Sequence, residues 1–391
     1  MPNVDWTKTR GANYLPSYGR DQLEFWLTRF DLDILKRELG FAQGLGLDSL
    51  RVFHSFDAWE ENAEQYLANW QSFADECTGR GLKLLTAVFD ATGTDRGGKA
   101  QEWVSFRAAS SRMKEEASKL ASWKLRVEQM VEAREGPAFP GDVEVPFPGS
   151  ALALFCEGWR NSPGNARLGE AWRPRVRAYL AALVEHLGAH PAICAWDVMN
   201  EPPLANLSGE PVDVLSFLKW ACLTLAELKP SAPLTVGCLF PEDMEKYDEM
   251  CDGALGVLSC HSYDRGEALE GRLQRAQAVA ERRGKPWLLT ECGNFEFPGN
   301  PALETDEAQE AIWADILPGL TEAKVGWFAT HLIMGYGPFA GLALLYSNGT
   351  RRPAAHRVAK WLAEHDGRQV ALRTDRPLPE ARTTVAKARD E

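Results

Sequence analysis

The stretch AICAWDVMNEPP, residues 192–203, begins as a buried strand and stops abruptly. Five residues of strand-like character lead into Asp197, and Asn200 and Glu201 follow just before two consecutive prolines. Because proline has no backbone N–H to give to a neighbouring strand, the strand cannot continue past them. The segment therefore predicts a strand that holds a carboxylate and an amide at the rim of a sheet.

The rest of the chain alternates short apolar runs with amphipathic ones. Eight runs predict strands at 10–15, 48–56, 82–90, 192–200, 232–238, 254–263, 285–292 and 325–333. The helical patterns lie at 31–45, 60–79, 171–188, 213–228, 268–283, 306–323 and 354–365. Eight strands separated by helices predict an α/β fold of the (β/α)8 TIM-barrel type. A doubly wound sheet would need a glycine-rich phosphate-binding turn after an early strand, and the sequence has none.

The predicted barrel accounts for most of the chain as one catalytic domain, residues 1–366. Residues 91–170 interrupt the alternation as a long insertion after the third strand, which we expect over or beside the active face. Residues 367–391 form a polar C-terminal tail that we expect to be frayed or to lie on the surface.

Charge excludes several classes of partner. The 391 residues carry 43 Lys and Arg against 55 Asp and Glu, a net charge of −12 that disfavours nucleic acid and anionic membranes. No apolar run approaches the roughly 18 residues that span a bilayer, and the N-terminus lacks a signal-peptide pattern. We therefore expect a cytoplasmic protein, or a secreted one if a leader has been removed. The sequence does not predict the oligomeric state.

The eight cysteines occur without a CxxC spacing. In a chain of this length, which needs no covalent staples, they predict reduced and buried thiols. No dinucleotide or metal motif is present, and the sequence predicts neither a cofactor nor a metal ion.

The predicted strand ends share one property, because polar and ionisable side chains gather there. Active sites of barrel enzymes lie at the C-terminal ends of the strands. The residues at those ends are Arg51 and His54 on strand two, Asp90 on strand three, Asn200 and Glu201 on strand four, His261 and Tyr263 on strand six, Glu291 on strand seven, and Trp327 on strand eight.

Two of these residues form the pair that glycoside cleavage needs. Glu201 and Glu291 come from strands on opposite sides of the predicted cleft. One carboxyl group can protonate the leaving oxygen while the other attacks the anomeric carbon or activates water. This chemistry needs one glutamate to stay ionised, for which a nearby arginine is suited, and the other to hold a proton near neutral pH.

Several motifs at these positions resemble those of clan A retaining glycoside hydrolases, especially family 5. They are RGANYLPSY, RVFHSF, WDVMNEP, CHSYD and WLLTECGNFEF, and the likeness extends from about residue 10 to 365. The resemblance implies a retaining β-glycosidase of the cellulase and mannanase type. It implies Glu201 as the general acid/base, Glu291 as the nucleophile, and Asn200 as a hydrogen-bond partner of the sugar 2-hydroxyl.

The same resemblance implies supporting roles for other strand-end residues. Tyr263 and Arg51 would hold Glu291 ionised and oriented, and His261 would lie beside Glu201. Trp327 would form the floor of the subsite that holds the sugar being cleaved off.

The chain departs from the family at the end of strand three. Many members have a Trp-His pair there, whereas this chain has FDATG, which keeps only Asp90 and casts doubt on a plain endo-cellulase. The GWRNSPG loop at 158–164, with Trp159, resembles a loop of bacterial members loosely described as cellulases, mannanases or xylanases. His54 and Trp59 could either contact substrate or serve the loop after strand two.

The insertion bears on the mode of action. Its aromatic side chains are of the kind that stacks on sugar rings, and a loop after strand three lies at the active face. They are Trp103, Phe106, Phe139, Phe147 and Trp159. We expect the insertion to close one end of the cleft, which would favour exo action or short glycosides; packing on the flank of the barrel is the alternative.

Three further functions were weighed against this expectation. An endo-acting β-glycanase would use the same two glutamates in an open cleft. A sugar-binding barrel that had lost catalysis would usually lack a carboxylate, and both are present. A metal-dependent barrel hydrolase would need an HxH pair after strand one, which the seven histidines do not provide.

Overall fold

The chain forms a closed barrel of eight parallel strands in a computed structural model. The structure describes residues 4–92, 159–207, 213–293, 305–334 and 342–371, together with the backbone of 102–105 and 144–147. Most of the predicted insertion and of the C-terminal tail lies outside these ranges, so the predicted placement of both is not tested.

Barrel strands are labelled β1–β8 in chain order. Their bounds are β1 Arg10–Asn13, β2 Ser49–Phe53, β3 Lys83–Asp90, β4 Ile193–Asn200, β5 Leu234–Cys238, β6 Leu258–Ser262, β7 Trp287–Cys292 and β8 Gly326–Ala329. Each strand pairs with its sequence neighbour, and β8 closes the barrel by pairing with β1. Each strand lies within one of the eight predicted runs, so the fold prediction is confirmed.

Helices surround the barrel. Their bounds are α1 Leu32–Gly44, α2 Phe56–Glu61, α3 Ala63–Gly79, α4 Arg173–Leu187, α5 Val214–Leu228, α6 Pro241–Met250, α7 Gly266–Arg283, α8 Asp306–Glu322 and α9 Pro353–His365. The predicted helix over 60–79 is two helices, because Asn62 ends α2 and caps α3 by accepting from the N–H of Gln65. α6 was not predicted; it is short, and it buries Met244 and Tyr247.

Side chains along each strand point alternately toward the barrel axis and toward the helices. A separate buried cluster consists of Leu85, Ala195, Val257, Leu288 and Phe328, with Trp6 packed against it. Arg51 is in register with Leu85, and Asp197 lies two residues beyond Ala195 on the same face of β4. The apolar cluster thus forms a floor, and charged side chains form the layer directly above it, toward the C-terminal ends of the strands.

The cysteines in the described residues are free thiols, and all but Cys194 are fully buried. This agrees with the predicted reduced state, while Cys156 lies outside the described ranges. Among the described helices, none combines the length and the apolar character needed to cross a bilayer. A two-stranded antiparallel sheet, Glu102–Ser105 with Glu144–Phe147, lies within the predicted insertion.

Candidate active site

Glu201 stands where β4 ends and the backbone turns sharply. Its φ angle is +45°, in the left-handed region that costs a non-glycine residue about 1–2 kcal/mol. The N–H of Glu201 donates to the carbonyl of Gly237 at 2.8 Å, and a short helical turn, Pro202–Leu207, follows at once. The turn and the proline sequence thus fix the side chain of Glu201 at the mouth of the barrel, as the strand-end pattern predicted.

Glu291 lies near the C-terminal end of β7, and three side chains surround its carboxylate. One carboxylate oxygen accepts from Nη1 of Arg51 at 2.6 Å, and the other accepts from the hydroxyl of Tyr263. Nδ1 of His261 is 3.7 Å from that second oxygen. Both glutamates are almost completely buried, with about the same small exposure. Hydrogen bonds on both oxygens leave the carboxylate of Glu291 with a single orientation.

Arg51 is the centre of the charged layer and is completely buried. Its Nε and Nη2 donate to Oδ2 of Asp197 at 3.1 and 2.6 Å, while Nη1 donates to Oδ1 of Asn13 at 2.9 Å. Nη2 also donates to Oδ1 of Asn200 at 2.7 Å. Burial lowers the pKa of Arg51, but the charges of Asp197 and Glu291 outweigh it and raise the pKa above its ordinary value. The guanidinium is therefore a permanent cation with all its directions occupied.

Asn200 links Arg51 to the end of β3. Its Nδ2 donates to Oδ1 of Asp90 at 3.0 Å, and the other oxygen of Asp90 accepts from the indole N–H of Trp159 at 2.6 Å. Burial raises the pKa of Asp90 to about 6, against the hydrogen bonds from Thr92 and Trp159. The structure thus brings four predicted site residues, Arg51, Asn200, Asp90 and Trp159, into one hydrogen-bonded chain.

His261 lies beside Glu201, at the position predicted for it. Its Nδ1 shares a hydrogen bond of 2.7 Å with Oε1 of Glu201, and its Nε2 has no partner among the described residues. The backbone of Gly237 closes the space behind it. A β-carbon added at Gly237 would lie 2.8 Å from Nη2 of Arg51 and 2.9 Å from Oδ2 of Asp197, so this position requires glycine.

The two glutamates differ in proton affinity because their neighbours differ. Burial raises the pKa of Glu201, and the charge of Glu291 adds to that rise, while His261 opposes it. Burial acts in the same direction on Glu291, but His261, Arg51 and the Tyr263 hydroxyl outweigh it and lower the pKa of Glu291. Burial and the charges of Glu291 and Glu201 raise the pKa of Tyr263, so its hydroxyl keeps the proton that it donates to Glu291. One carboxyl group thus holds a proton more readily than its neighbour.

Trp327 is not at the mouth of the barrel, and its predicted role as a subsite floor is wrong. It is in register with Arg10 on β1 and packs outward against Trp313 of α8, with ring centroids 5.7 Å apart. Its neighbour Phe328 takes the inward position in the apolar floor. Because side chains alternate along a strand, only one of these two adjacent aromatics can face the axis.

His54 and Trp59 also lie away from the glutamates. The His54 ring stacks on Trp70 of α3 at 3.8 Å and bonds the Tyr66 hydroxyl at 2.9 Å through Nδ1. Burial lowers the pKa of His54 to about 3, so this imidazole is neutral. Trp59 packs between α2 and α4, against Tyr179. Of the two roles left open for these residues, contact with substrate or a place in the loop after strand two, the packing contacts favour the second.

Three residues of the site were not identified as such from the sequence. Asn13 and Asp197 hold Arg51, and each ends or interrupts an apolar run, which is a signal that could have revealed them. The third is His331, just after β8, which interacts electrostatically with Glu291 and Arg51. His331 lies within the run predicted as strand eight, residues 325–333, but β8 ends at Ala329, so this residue belongs to the segment after the strand.

The donor set of the site is also one that metal ions use. One donor atom each from Glu201, His261 and Glu291 lie within 4.8 Å of one another. However, Glu291 is already bonded to the buried guanidinium of Arg51, whose charge would repel a divalent cation. The arrangement fits two carboxyl groups with opposite proton states better than a metal centre.

Comparison with solved structures finds glycoside hydrolases whose fold is similar to this barrel. An exo-β-1,4-mannosidase from Opitutaceae bacterium strain TAV5 has a TM-score of 0.57 at 16% sequence identity, covering 93% of this chain and 60% of that one. A family 5 mannosidase from Rhizomucor miehei has a TM-score of 0.57 at 12% identity, with 93% and 97% covered. An endo-1,4-β-D-mannanase from Thermotoga petrophila RKU-1 has a TM-score of 0.53 at 12% identity, with 90% and 98% covered.

The fold is therefore the (β/α)8 barrel that these glycoside hydrolases have. At 12–16% identity these likenesses concern the fold alone, and they confirm the fold that the resemblance of the motifs to family 5 implied. The chain spans 60% of the length of the Opitutaceae enzyme. Neither a protein-family model nor a curated protein sequence matches the chain.

Proposed function

We propose that this protein is a retaining β-glycosidase. The observation that carries the proposal is the approach of Glu201 and Glu291, which have carboxylate oxygens within 4.8 Å of each other. Retaining enzymes hold their two carboxyl groups about 5–5.5 Å apart, whereas inverting enzymes separate them by about 6.5–9.5 Å to admit a water molecule. The short separation favours a covalent intermediate on the enzyme.

The reaction assigns one role to each glutamate. Glu201 donates its proton to the glycosidic oxygen while an oxygen of Glu291 attacks the anomeric carbon, so the glycosidic bond breaks and a glycosyl ester forms. Water then attacks the same carbon, gives its proton to the Glu201 carboxylate and releases Glu291. The second inversion restores the original configuration. The raised pKa of Glu201 and the lowered pKa of Glu291 suit these roles.

Other residues of the site support Glu291 or face the expected position of the substrate. Arg51 and Tyr263 donate to Glu291 and stabilise its charged form before attack. Asn200 has its amide fixed between Arg51 and Asp90, which leaves the second N–H of Nδ2 for a substrate hydroxyl. Trp159, partly exposed and bonded to Asp90, is a candidate wall for the sugar.

Within this class we favour β-mannosides as substrates. Three solved structures with similar folds are described as a mannosidase or a mannanase, and a GH5_18 protein from Bifidobacterium longum was solved with Manβ1-4GlcNAc. Exo action on chain ends or short glycosides is our first choice, and an endo-acting β-glycanase is the alternative.

The decisive experiment is a turnover assay followed by product analysis. We expect hydrolysis of at least one of the 4-nitrophenyl β-mannoside, glucoside, galactoside and xyloside, with no loss of activity after dialysis against a chelator. Proton NMR of the first product should show the β anomer. First appearance of the α anomer would reject the retaining mechanism. Binding without turnover would indicate an inactive sugar-binding barrel, and loss of activity on chelation would indicate a metal-dependent hydrolase.

The pH profile of kcat/KM should be bell-shaped. Activity needs Glu291 ionised and Glu201 protonated; because the pKa of Glu291 is lowered and that of Glu201 raised, Glu291 gives the acid limb and Glu201 the alkaline limb. In Glu201→Gln, assayed with a 2,4-dinitrophenyl glycoside that needs no acid, the alkaline limb should disappear while the acid limb stays. An alkaline limb that persists in this variant would assign the proton to another group.

Exo action makes a separate prediction about polymers. An exo-acting enzyme should release monosaccharide from mannan while the viscosity of the solution falls slowly, because each cut removes one sugar from a chain end. Viscosity and reducing ends measured on the same sample distinguish the two modes. A rapid loss of viscosity with few new reducing ends would establish the endo-acting alternative.

A further inference from the structure

We propose that His331 is a specificity-determining residue that hydrogen-bonds a hydroxyl of the sugar attached to Glu291. This inference rests on the proposed function and concerns the same site. His331 lies just after β8, the strand from which Trp327 was expected to form a subsite.

The backbone around His331 is fixed from three directions. The N–H of Thr330 donates to the carbonyl of Cys292 on β7 at 2.9 Å, and the N–H of Leu332 donates to the carbonyl of Asn13 at 2.8 Å. The carbonyl of His331 itself accepts from the N–H of Leu344 at 2.8 Å. A group held in this way is preorganised, which is what recognition of a single hydroxyl requires.

His331 differs in burial from the residues around it. Thr330, Leu332 and Ile333 are buried, but His331 is partly exposed. The hydroxyl oxygens of Thr330 and Tyr263 are 3.3 Å apart, which places the segment against the residue that supports Glu291. His331 therefore lies at the edge of the space into which the anomeric carbon must enter to reach Glu291.

The chemistry of the ring supports a hydrogen bond to a neutral hydroxyl. Its Nδ1 is buried and has no partner among the described residues, and buried polar atoms without partners are rare. Burial lowers the pKa of His331 to about 4, with Arg51 acting in the same direction and Glu291 against it. A neutral imidazole offers one donor and one acceptor, and a sugar hydroxyl can satisfy either.

Two substitutions distinguish the effect of losing the ring nitrogen from the effect of losing the ring. His331→Phe keeps a ring of similar size without Nδ1, whereas His331→Asn keeps a polar atom close to the position of Nδ1. His356→Phe is the matched control, because His356 is exposed on α9. With 4-nitrophenyl β-D-mannopyranoside, we expect kcat/KM to fall about 10- to 100-fold in His331→Phe, and much less in His331→Asn or the control.

Monodeoxy substrates test whether the contact is direct. The substrates are the 3-deoxy, 4-deoxy and 6-deoxy 4-nitrophenyl β-mannosides. For the one that lacks the hydroxyl bound by His331, kcat/KM should be lower than for the parent substrate in the wild type but unchanged in His331→Phe. If each deoxy substrate lowers kcat/KM by the same factor in the wild type and in His331→Phe, His331 acts through the structure alone, and the inference is wrong. Equal kcat/KM in the wild type and His331→Phe would also overturn it.

Measurement of sugar binding tests the role of His331 independently of turnover. NMR titration with the methyl β-glycosides of mannose, glucose, galactose and xylose should give a weaker dissociation constant in His331→Phe for whichever sugar the wild type binds. If the wild type binds a sugar without hydrolysing its aryl glycoside, the proposed activity fails, and this loss of binding still supports His331. Binding that is unchanged in His331→Phe, or absent from the wild type, contradicts it.

Discussion

Glu291→Gln should abolish turnover of every glycoside that the wild type hydrolyses, lowering kcat by roughly 10⁴- to 10⁶-fold. The amide is nearly isosteric but cannot attack the anomeric carbon, so neither the glycosyl ester nor its hydrolysis can occur. Leaving-group quality should not matter, because the missing step is the attack itself. The measurement is single-turnover release of 2,4-dinitrophenol, which detects even one event per enzyme molecule.

Folding of the Glu291→Gln variant needs a separate check. Glu291 is one of two carboxylates that balance the buried charge of Arg51, so its removal leaves Asp197 as the remaining ionic partner. We therefore expect a lower melting temperature with a retained circular dichroism spectrum. Glu267→Gln, in the exposed first turn of α7, is the control and should match the wild type in both assays. A burst of dinitrophenol from folded Glu291→Gln would mean that another group is the nucleophile.

Glu201→Ala should show an effect that depends on the leaving group. For 4-methylphenyl glycosides, which need a proton on the departing oxygen, we expect kcat/KM to fall about 10²- to 10⁴-fold, in the range of general acid catalysis. For 2,4-dinitrophenyl glycosides the first step should be nearly normal. The second step should be slow, because no base activates water, so a glycosyl enzyme should accumulate and be visible by mass spectrometry of the intact protein.

Azide completes the test of Glu201. A small anion needs no general base, so it should enter the space vacated by the side chain, attack the glycosyl enzyme and restore turnover of the dinitrophenyl substrate. NMR should identify the product as a β-glycosyl azide. Formation of the α-azide, or equal loss on both substrates without rescue, would remove Glu201 from the acid/base role. Azide should have no effect on Glu291→Gln, which makes that variant the control.

The strand ends were predictable because local chemistry marked them. Glu201 follows a β-type run and precedes two prolines that cannot join a parallel ladder, so a turn was required there. Glu291 ends a run of the same kind, and glycine and asparagine follow it in the sequence. In a barrel, all strands present their C-terminal ends to one face, so the meeting of these residues follows from the fold class.

The direction of individual side chains was not predictable in the same way. Trp327 and Phe328 are both large and apolar, and a parallel barrel buries both faces of its strands, so hydrophobicity does not fix which one faces the axis. On β2 the same alternation directs Arg51 to the mouth and His54 to the helix layer, where Trp70 covers it. A strand-end histidine could thus be mistaken for a site residue.

By itself, the sequence determined the (β/α)8 architecture, the order of its strands and the two glutamates at strand ends, because short apolar runs and prolines are local signals. Only the tertiary structure decided which residues surround those glutamates. Asn13 and Asp197 contact Arg51 from strands that are distant in sequence, and His331 lies in the segment just after β8, near Glu291 and Arg51. Such contacts depend on barrel closure and on the register of β1 with β8, and no neighbouring residues in the chain encode that closure.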